Sequence, residues 1–519
     1  MPVRVSVVVP VYNPGEPLDE LIASLAAQTM PASDFEVLLC DDGSDEATRQ
    51  QLARIAAEHP NVRVTNLPHS GWPGTPRNHG IDTAEGTYLH FVDQDDRLFP
   101  KALQSLCDYA DRHGSDVIVG REVGIGRDLP KAIFARNVPR AKLGKHPLLE
   151  MLTPHKMFRT EFLRENGIRF PSGRVRLEDH LFVMEAYFAA DTISILASVP
   201  CYGWVKREGS ASSARIDPES YYPHLEAVLD LVEAHTEPGK LRDRLLRHWL
   251  RGKILKRLSA RQMARYPDEY RQRLLDVVTP LVERRFGPGV DAGLAFPNRV
   301  RVALLRAGRR DDLLTLARHE VETTCRAELT RATWTRGGGL QLTIRPLLTR
   351  DGDDALVFEP SPGDPSRRVW RAPEAFADLG PEVLDATRDL DADRVVLSAQ
   401  DDGGPARRRL AEQPARDLAP VPVAIDPLRV FDAESTATAV RLTVQVRRAG
   451  WSFDTPLTAD AAVLEAAGRS PLLAGRRCRL VLDDDGAVVL QREYPAGGLR
   501  DTAGRAVRRL RKRLASRGK

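Results

Sequence analysis

The chain has 519 residues, too many for one compact core, and at about 150 residues per domain it predicts about three domains. Its hydrophobic content of 42% and charged content of 29% are typical of globular proteins, and a net charge of +4 gives no reason to expect nucleic acid as a partner. Five cysteines without a Cys-x-x-Cys pair disfavour a disulfide framework or a structural zinc site. The N-terminus lacks a signal-peptide layout and no apolar run reaches about 18 residues, so we expect a cytoplasmic protein.

The first 120 residues alternate short apolar runs with helical patterns. Strands are predicted at VSVVVP, FEVLLCDDGS, VRVTNL, TYLHFVDQDD and DVIVG, and helices at LDELIASLAAQT and ATRQQLARIAAEH. Apolar strands that alternate with helices indicate an α/β fold with a mostly parallel sheet covered by helices on both faces. Ligands of such sheets bind beyond the carboxyl ends of the strands, where this sequence has Tyr12-Asn13, Asp41-Asp42 and Asp93–Asp96.

The pattern then changes twice along the chain. Long helical periods such as YYPHLEAVLDLVEAH dominate up to about residue 320, and from about Glu328 apolar and polar residues alternate between Gly and Asp turns. The alternation is typical of antiparallel strands with one solvent-exposed face and predicts a β-sandwich. We therefore predict a catalytic domain at residues 1–217, a helical linker at 218–325, a β-sandwich domain at 326–497 and a tail at 498–519.

The tail carries a strong positive charge. Leu499–Lys519 has nine Arg and Lys residues against one Asp, with apolar residues at helical spacing. A basic amphipathic helix binds anionic membrane surfaces, which would place the protein on the inner face of the plasma membrane. The alternative is a disordered, solubilising tail.

The run FVDQDDRLFP ends an apolar strand on three carboxylates, Asp93, Asp95 and Asp96. One of them, such as Asp96, could cap the next helix, but capping does not need three. Packed carboxylates repel one another unless a cation compensates them, and Mg²⁺ and Mn²⁺ favour carboxylate together with phosphate oxygens. An Asp-x-Asp at the carboxyl edge of a sheet therefore predicts a site for a divalent cation and a diphosphate.

Four segments occur in a characteristic order: PVYNPGEPLDELIASLAAQT, LLCDDGS, GWPGTPRNHGIDTAEGTYLHFVDQDD and RLEDHLF. Together they resemble the family 2 glycosyltransferases over about residues 3–215. The resemblance implies a GT-A fold, a nucleotide-sugar donor and inversion of the anomeric centre. It also implies Mn²⁺ or Mg²⁺ as cofactor.

The resemblance assigns the donor site residue by residue. Pro10 and Tyr12 match positions that hold uracil, and Asp42 matches the carboxylate that reads the uracil edge, with Asp41 as the alternative. Arg77 matches an arginine near the nucleotide, for which a surface ion pair is the alternative. His69 stands where relatives often carry Asn, and its imidazole could replace the amide as a donor. Asp93 matches the ribose-side or metal-side carboxylate, and Asp95 the direct metal ligand.

The resemblance also implies the catalytic base. Asp179 in the Leu-Glu-Asp run matches the general base, with Glu178 beside it in the donor site, and an N-cap is the alternative for Asp179. The later run YGWVKREGSASS resembles the loop that closes over the donor phosphates. In that loop Arg207 is the expected phosphate contact, with Ser210 assisting and Lys206 as a further possibility; a plain surface loop is the alternative.

The order of catalytic domain, helical linker and β-sandwich resembles wall teichoic acid glycosyltransferases. It implies transfer of a sugar, GlcNAc favoured, from a UDP-sugar to a cell-envelope polymer such as teichoic acid, in a homo-oligomer that is trimeric by analogy. The sandwich would bind polymer or drive oligomerisation. Two alternatives remain: a transferase of the same fold for exopolysaccharide, capsule or a lipid-linked acceptor, and an inactive carbohydrate-binding scaffold.

Overall fold

The β-branched run at the N-terminus forms the first strand, β1 (Val5–Val11), and Val5, Val7, Val8 and Val9 are fully buried in it. Burial on both faces is expected for a strand inside a parallel sheet with helices on either side. The structure is a computed structural model that describes residues 3–207, 215–401, 407–431 and 437–493.

Eight further strands complete the N-terminal sheet. They are β2 (Phe35–Asp41), β3 (Val62–Asn66), β4 (Tyr88–Phe91), β5 (Arg97–Leu98), β6 (Val117–Ile125), β7 (Val138–Ala141), β8 (Met157–Arg159) and β9 (Ile193–Val205). The helices between them are α1 (Glu16–Ala26), α2 (Glu46–Glu58), α3 (Gly74–Thr83), α4 (Ala102–His113), α5 (Thr160–Glu165) and α6 (Glu178–Ala189).

The sheet has the order β3-β2-β1-β4-β8-β6-β9-β5, with β7 added to β9. Strands β1 to β4 pair in parallel, as the sequence predicts. Strand β8 is antiparallel to both of its neighbours, β4 and β6, while β6 and β9 are parallel. The predicted α/β sheet is thus confirmed, and its second half is mixed because the short β8 inserts in the opposite direction.

Helix α3 packs against β1 through a glycine. A Cβ atom on Gly80 would lie 2.2 Å from Cγ1 and 2.7 Å from Cγ2 of the buried Val8. Contacts of this kind force neighbouring backbone to shift, because the core is close-packed. The helix that carries Arg77 is therefore held against the strand that leads to Tyr12.

Gly80→Ala should lower stability by about 1–3 kcal/mol, because the added methyl group overpacks the contact with Val8. The expected result is a melting temperature several degrees lower, measured by differential scanning calorimetry. Gly252→Ala is the matched control, since a Cβ there meets nothing within 4 Å. Equal melting temperatures for the two variants would contradict the close packing of α3 on β1.

Helices follow the first sheet, as predicted. They are α7 (Pro218–Ala234), α8 (Lys240–Trp249), a π-helical stretch (Leu250–Leu255), α9 (Ala260–Arg265), α10 (Asp268–Arg285), α11 (Pro288–Ala292), α12 (Phe296–Arg306) and α13 (Arg310–Glu322). Within the described ranges, no helix combines the length and apolar character needed to span a bilayer.

The C-terminal part is rich in strands and mainly antiparallel, which confirms the change of pattern near Glu328. Its strands are β10 (Thr324–Trp334), β11 (Leu340–Arg350), β12 (Asp353–Asp354), β13 (Phe358–Ser361), β14 (Asp364–Trp370), β15 (Arg394–Asp401), β16 (Arg407–Pro414), β17 (Val421–Ile425), β18 (Ala439–Arg448), β19 (Trp451–Ala459), β20 (Arg477–Leu482) and β21 (Val488–Glu493). Its short helices are α14 (Pro381–Leu384), α15 (Thr387–Leu390), α16 (Pro427–Val430) and α17 (Ala461–Ala467).

Alternate residues of β11 and β17 are buried, as the alternation in the sequence predicts. One hydrophobic core collects the inward residues of β10, β11 and β17 together with those of β15, β18, β20 and β21. Strand β19 joins the two groups, pairing in parallel with β10 and antiparallel with β18. The basic tail at 498–519 lies outside the described residues.

Contacts divide the chain into two units, which we describe separately. The first holds residues up to 254 and residues 272–293, and the second holds residues 255–271 and residues from 294 onward. The boundaries predicted at residues 217, 325 and 497 stay predictions. All of the described residues assigned to the candidate site belong to the first unit.

Candidate functional site

The carboxyl ends of β1, β2 and β4 meet at one edge of the sheet, because these strands are parallel and adjacent. The edge brings together the segments that begin at Tyr12, Asp42 and Asp93. Pro10 is the penultimate residue of β1 and pairs with Cys40 of β2. The sequence therefore predicted correctly that these polar segments share one edge, although the role of each residue stays a prediction.

Tyr12 and His69 form a ring pair at this edge. Their ring centroids are 4.7 Å apart with an interplanar angle of 27°, and Tyr12 is 46% exposed. The backbone of Tyr12 is held by the side chain of Gln94: the Tyr12 N–H donates to Gln94 Oε1 at 2.7 Å, and Gln94 Nε2 donates to the Tyr12 carbonyl at 3.1 Å. The pair offers a flat, accessible platform of the kind on which a base can stack.

Asp42 is buried and holds the loop that carries His69. Its Oδ1 accepts from the backbone N–H of Ser70 at 2.8 Å and from the Ser70 hydroxyl at 2.6 Å, and its Oδ2 accepts from the Gly71 N–H at 2.9 Å. A carboxylate has about four lone-pair sites, so these bonds leave little capacity for a ligand. Asp42 thus fixes the loop, and reading of the uracil edge by Asp42 stays a prediction. Asp41 is also occupied, since its side chain accepts from the Ser44 N–H.

Asp93 lies between two cations. Arg77 Nη2 donates to Asp93 Oδ1 at 2.8 Å, and His155 Nε2 lies 3.1 Å from Oδ2. Burial would raise the pKa of Asp93, but the charges of Arg77 and His155 outweigh it and hold the pKa well below its usual range. The carboxyl group is therefore ionised throughout the physiological pH range.

His155 was not singled out from the sequence. Its ring is buried, stacks on Tyr202 with centroids 4.0 Å apart, and has Glu122 Oε2 3.4 Å from Nδ1. Burial would lower the pKa of His155, but Asp93 and Glu122 raise it to about 9. The imidazole is therefore protonated at neutral pH, with both ring nitrogens serving as donors.

The three carboxylates of the Asp-Gln-Asp-Asp run have different surroundings. Asp96 accepts from the Tyr202 hydroxyl at 2.6 Å and from the Val205 N–H at 2.7 Å, and burial raises its pKa to about 7. Asp95 is half-buried, and within the described residues its carboxylate makes neither an ion pair nor a hydrogen bond to another side chain. Burial and the charge of Asp93 raise the pKa of Asp95.

These surroundings decide which groups fit a divalent cation. Asp93, Asp96 and His155 offer ligand atoms within 4.8 Å of one another. A cation bound by His155 would have to displace the ring proton that Asp93 and Glu122 stabilise, and both oxygens of Asp96 already accept hydrogen bonds. Among the described residues, no side chain of another residue donates a hydrogen bond to the Asp95 carboxylate, and the charges of Arg207 and His155 offset its charge only in part. Mg²⁺ and Mn²⁺ are usually held by one or two carboxylates plus substrate phosphates. Asp95 as a direct ligand, with the neighbouring Asp93 as a second carboxylate, fits such a cation.

Arg207 follows β9 and reaches the same loop. Its Nη2 donates to Glu20 Oε2 of α1 at 2.8 Å and to the Asp95 carbonyl at 3.2 Å. The guanidinium is part-exposed beside Asp95, so it stands where a phosphate bound at Asp95 could be met. Lys206, the alternative, is exposed. Ser210 lies outside the described residues.

Glu178 and Asp179 begin α6, and Leu177 precedes them with φ 62°, in the left-handed region. That conformation is costly for leucine, and it aims the first turn of α6 at the site. Asp179 is the second residue of the helix and not its N-cap, although its Oδ1 accepts from the His180 N–H at 2.8 Å. Burial raises the pKa of Asp179.

Arg77 lies between Asp93 and the first turn of α6 and contacts both. Its guanidinium is buried, and while Nη2 binds Asp93, Nη1 lies 3.8 Å from Glu178 Oε1. Its Nε and Nη1 atoms are buried and have no hydrogen-bond acceptor within the described part of the chain. Burial and the adjacent Asp179 raise the pKa of Glu178. Arg77 is thus a buried cation between two acidic side chains and not a surface ion pair.

Lys156 is a second buried cation that the sequence did not reveal. Its side chain is fully buried and donates to the Thr153 carbonyl at 2.6 Å. Burial lowers the pKa of Lys156 to about 8, against the opposing charges of Glu122 and Asp179. The signal in the sequence is the pair His155-Lys156 directly before the short apolar run of β8, where charged residues are not expected unless they are partnered.

The raised pKa of His155 predicts a pH dependence of stability. Because the folded pKa of about 9 exceeds the unfolded value of about 6.5, stability is complete below pH 6.5 and is lost as pH rises toward 9. Between pH 7 and 8 the loss should be up to about 1.4 kcal/mol. Asp96 and Glu178, with a pKa of about 7, and Lys156, with a pKa of about 8, titrate in the same range, so the contribution of His155 is the difference in slope between the wild type and a His155 variant.

We therefore expect the melting temperature to fall between pH 7 and 8 in the wild-type protein and to change less in His155→Gln. The measurement is calorimetry at closely spaced pH values. His59→Gln, a histidine for which no such buried partners exist in the described structure, should keep the wild-type slope. An unchanged slope in His155→Gln would show that His155 is not the group that titrates.

Two family models match the chain. The model described as glycosyl transferase family 2 matches residues 6–176, and the glycosyl transferase TarS linker domain matches residues 218–317. The first contains the Tyr12, Asp42, Arg77, Asp93 and Asp95 positions, and it ends shortly before Asp179.

Two of the similar proteins are named enzymes of Staphylococcus aureus. The chain is 37% identical over 243 residues to poly(ribitol-phosphate) beta-N-acetylglucosaminyltransferase TarS, an alignment that covers 45% of this chain and 42% of TarS. It is 30% identical over 259 residues to poly(ribitol-phosphate) beta-N-acetylglucosaminyltransferase TarP, covering 49% of this chain and 79% of TarP. The alignment thus spans less than half of TarS but more than two thirds of TarP.

Solved structures agree with the sequence matches. The crystal structure of S. aureus TarS 1-349 in complex with UDP-GlcNAc is similar with a TM-score of 0.56 and 27% identity, over 68% of this chain and 98% of that one. The crystal structure of S. aureus TarS is similar over 96% of this chain and 86% of that one, with a TM-score of 0.57 and 19% identity. The second match extends the likeness in fold to the strand-rich C-terminal part.

Proposed function

The chain belongs to family 2 of the glycosyltransferases, and from this we propose that it transfers a sugar from a UDP-sugar to a hydroxyl group of a cell-envelope polymer of the teichoic acid type. GlcNAc is the favoured sugar and poly(ribitol phosphate) the favoured acceptor, because the TarS and TarP relatives are named for that reaction. The TarS crystal structure with UDP-GlcNAc supports the same donor.

One observation carries the proposal. The Asp93–Asp95 loop and the first turn of α6 are joined through Arg77, which contacts Asp93 with one Nη atom and approaches Glu178 with the other. A donor diphosphate at Asp95 and an acceptor hydroxyl at Asp179 would therefore be held in a fixed relation. In-line displacement at the anomeric carbon needs this relation, because most of the rate gain from proximity depends on alignment.

Asp179 is the proposed general base. It would accept the proton of the acceptor hydroxyl while that oxygen attacks the anomeric carbon and the bond from that carbon to the diphosphate oxygen breaks. A single displacement of this kind inverts the configuration. Burial raises the pKa of Asp179, which makes it a stronger base, while the charges of Lys253, Arg77 and Lys156 oppose the rise.

The proposed cofactor is Mn²⁺ or Mg²⁺, held by Asp95 with Asp93 adjacent. When bound, such an ion would neutralise charge on the departing diphosphate. Arg207 would bind a phosphate oxygen beside it, and Ser210 would assist. Tyr12, His69 and Pro10 would hold the uracil ring, with Asp42 fixing the loop that carries His69.

The test is the release of UDP from UDP-GlcNAc and other UDP-sugars in the presence of Mn²⁺, with and without poly(ribitol phosphate). We expect release that requires the cation and rises severalfold with the polymer. Release that ignores this polymer but rises with a capsular or exopolysaccharide acceptor would move the activity to the alternative of the same fold. If calorimetry detects no binding of any UDP-sugar, the result would favour the alternative that the protein is an inactive carbohydrate-binding scaffold.

The proposed function also includes two interaction partners, further copies of the chain and a membrane surface. A homo-oligomer, trimeric by analogy, and contact of the 498–519 tail with the inner face of the plasma membrane are both expected. Light scattering before and after removal of the C-terminal strands tests the oligomer. Sedimentation with anionic liposomes, with and without residues 499–519, tests the membrane contact.

A further inference from the structure

Two arginines next to the proposed base have no anionic partner. Arg174 and Arg176 lie in the loop that leads into α6, and neither makes a side-chain ion pair or hydrogen bond within the described residues. Nearby arginines behave differently: Arg169 pairs with Asp82 at 3.0 Å, and Arg164 pairs with Glu161 at 2.9 Å. Arg174 and Arg176 thus differ from the two arginines on either side of the preceding turn, which are neutralised by acidic side chains.

Both guanidinium groups are held by the same aromatic ring. The Cζ atoms of Arg176 and Arg174 lie 5.4 Å and 5.9 Å from the centroid of the Trp72 ring. A cation–π contact of this kind uses none of the arginine N–H groups, so these groups stay free for a ligand. The indole N–H of Trp72 is buried and faces the Glu178 carboxylate, whose pKa it lowers against the effect of burial.

The loop that carries the arginines is anchored at both ends. At its start, Asn78 Nδ2 donates to the Phe170 carbonyl at 2.8 Å and the Phe170 N–H donates to Asn78 Oδ1 at 2.9 Å. In the middle of the loop, the Arg176 N–H donates to His224 Nδ1 of α7 at 3.1 Å. At its end, Leu177 in the left-handed conformation directly precedes α6. The two cations are thus presented by a fixed support.

The position of Arg174 and Arg176 favours contact with the acceptor and not with the donor diphosphate. Arg176 precedes Asp179 by three residues, a span of at most about 10 Å. The donor diphosphate is expected at Asp95 and Arg207, which Asp93 and Arg77 separate from Glu178. A polyol phosphate carries hydroxyl groups only a few bonds from each phosphorus, so a phosphodiester at the arginines brings a hydroxyl toward Asp179.

We infer that Arg174 and Arg176, which both lie over the Trp72 ring, form a subsite for a phosphodiester group of the acceptor polymer. This inference rests on the proposed function and adds the residues that would select an anionic acceptor over a neutral glycan. Arginine suits the task because its planar N–H edge matches a phosphate in two-point fashion.

The experiment measures the affinity of poly(ribitol phosphate) for the full chain by fluorescence polarisation of a labelled polymer, together with UDP release without acceptor. Arg174→Gln/Arg176→Gln should weaken polymer binding about 10- to 100-fold, as expected for the loss of one or two charged hydrogen bonds. UDP release without acceptor should stay within twofold of wild type. Arg174→Lys/Arg176→Lys keeps the charge without the planar edge and should recover part of the affinity.

Arg112→Gln is the matched control for charge. Arg112 is exposed in the last turn of α4, before β6 begins, and so lies at the amino edge of the sheet, away from the site. An equal loss of affinity in this control, or a matching loss of UDP release in the double variant, would overturn the inference. Wild-type binding retained by the double variant would overturn it alone, whereas a wild-type chain that releases UDP but does not bind the polymer would overturn the proposed acceptor as well.

Discussion

Replacement of Asp179 by asparagine is expected to lower the turnover number for transfer by about 10²- to 10⁴-fold, the usual contribution of a general base. Asparagine has nearly the same shape and can still accept the His180 N–H bond, but it cannot take a proton from the acceptor hydroxyl. Donor binding measured by calorimetry should be unchanged. The wild-type rate should also rise with pH at a higher pH than for an ordinary carboxyl group, because burial raises the pKa of Asp179.

The matched control is Glu185→Gln, which removes a half-buried carboxyl group from the same helix about two turns further on. Its turnover should stay close to wild type. If Asp179→Asn loses donor binding instead of turnover, Asp179 is a donor ligand or a structural residue. Survival of the rising limb of the pH profile in Asp179→Asn would assign the base to another group.

Asp95→Asn should reduce the affinity for Mn²⁺ in the presence of UDP by about 100-fold, measured by electron paramagnetic resonance, and should abolish cation-dependent UDP release. The physical reason is that Asp95 is the carboxylate of the run whose oxygens are free within the described residues. Because these oxygens hold no other residue in place, the melting temperature should change little.

Asp96→Asn should give the opposite result. Asp96 accepts from the Tyr202 hydroxyl and the Val205 N–H, and an amide can satisfy only one of these donors, at a cost of about 1–3 kcal/mol. The melting temperature should therefore fall while Mn²⁺ affinity is kept. Loss of Mn²⁺ binding in Asp96→Asn and not in Asp95→Asn would place the cation among Asp93, Asp96 and His155.

The sequence predicts the parallel half of the sheet because each strand there is a local signal. The runs of β1, β2 and β4 are apolar throughout and end on polar residues, which indicates a buried strand and the edge at which ligands bind. Strand β8 gives no such signal, since it has three residues and owes its existence to pairing with β4 and β6. The mixed half of the sheet therefore emerges only in three dimensions.

The same limit applies to the site. Tyr12, Asp93, Asp95 and Asp179 belong to short motifs and can be found from the sequence. Tyr202 hydrogen-bonds Asp96 from 106 positions away, and His155 reaches Asp93 across 62 positions. Pairings over such separations depend on the fold, and each partner alone reads as an ordinary polar residue. The charge state of His155 follows from these partners and has no counterpart in its local sequence.

The middle residue of the Asp-Gln-Asp run has a consequence for how the site moves. Gln94 both accepts from and donates to the backbone of Tyr12, as a neighbouring strand would. The Gln94 side chain therefore connects the end of β1 to the loop that carries Asp93 and Asp95, and the two segments must shift together. In the proposed function, a base on Tyr12 and a phosphate near Asp95 would belong to one donor molecule, so these two hydrogen bonds would set the distance between the two contacts before the donor binds. We therefore expect the residue between the two aspartates to affect which nucleotide length the site accepts, because this double hydrogen bond needs both an amide oxygen and an amide N–H.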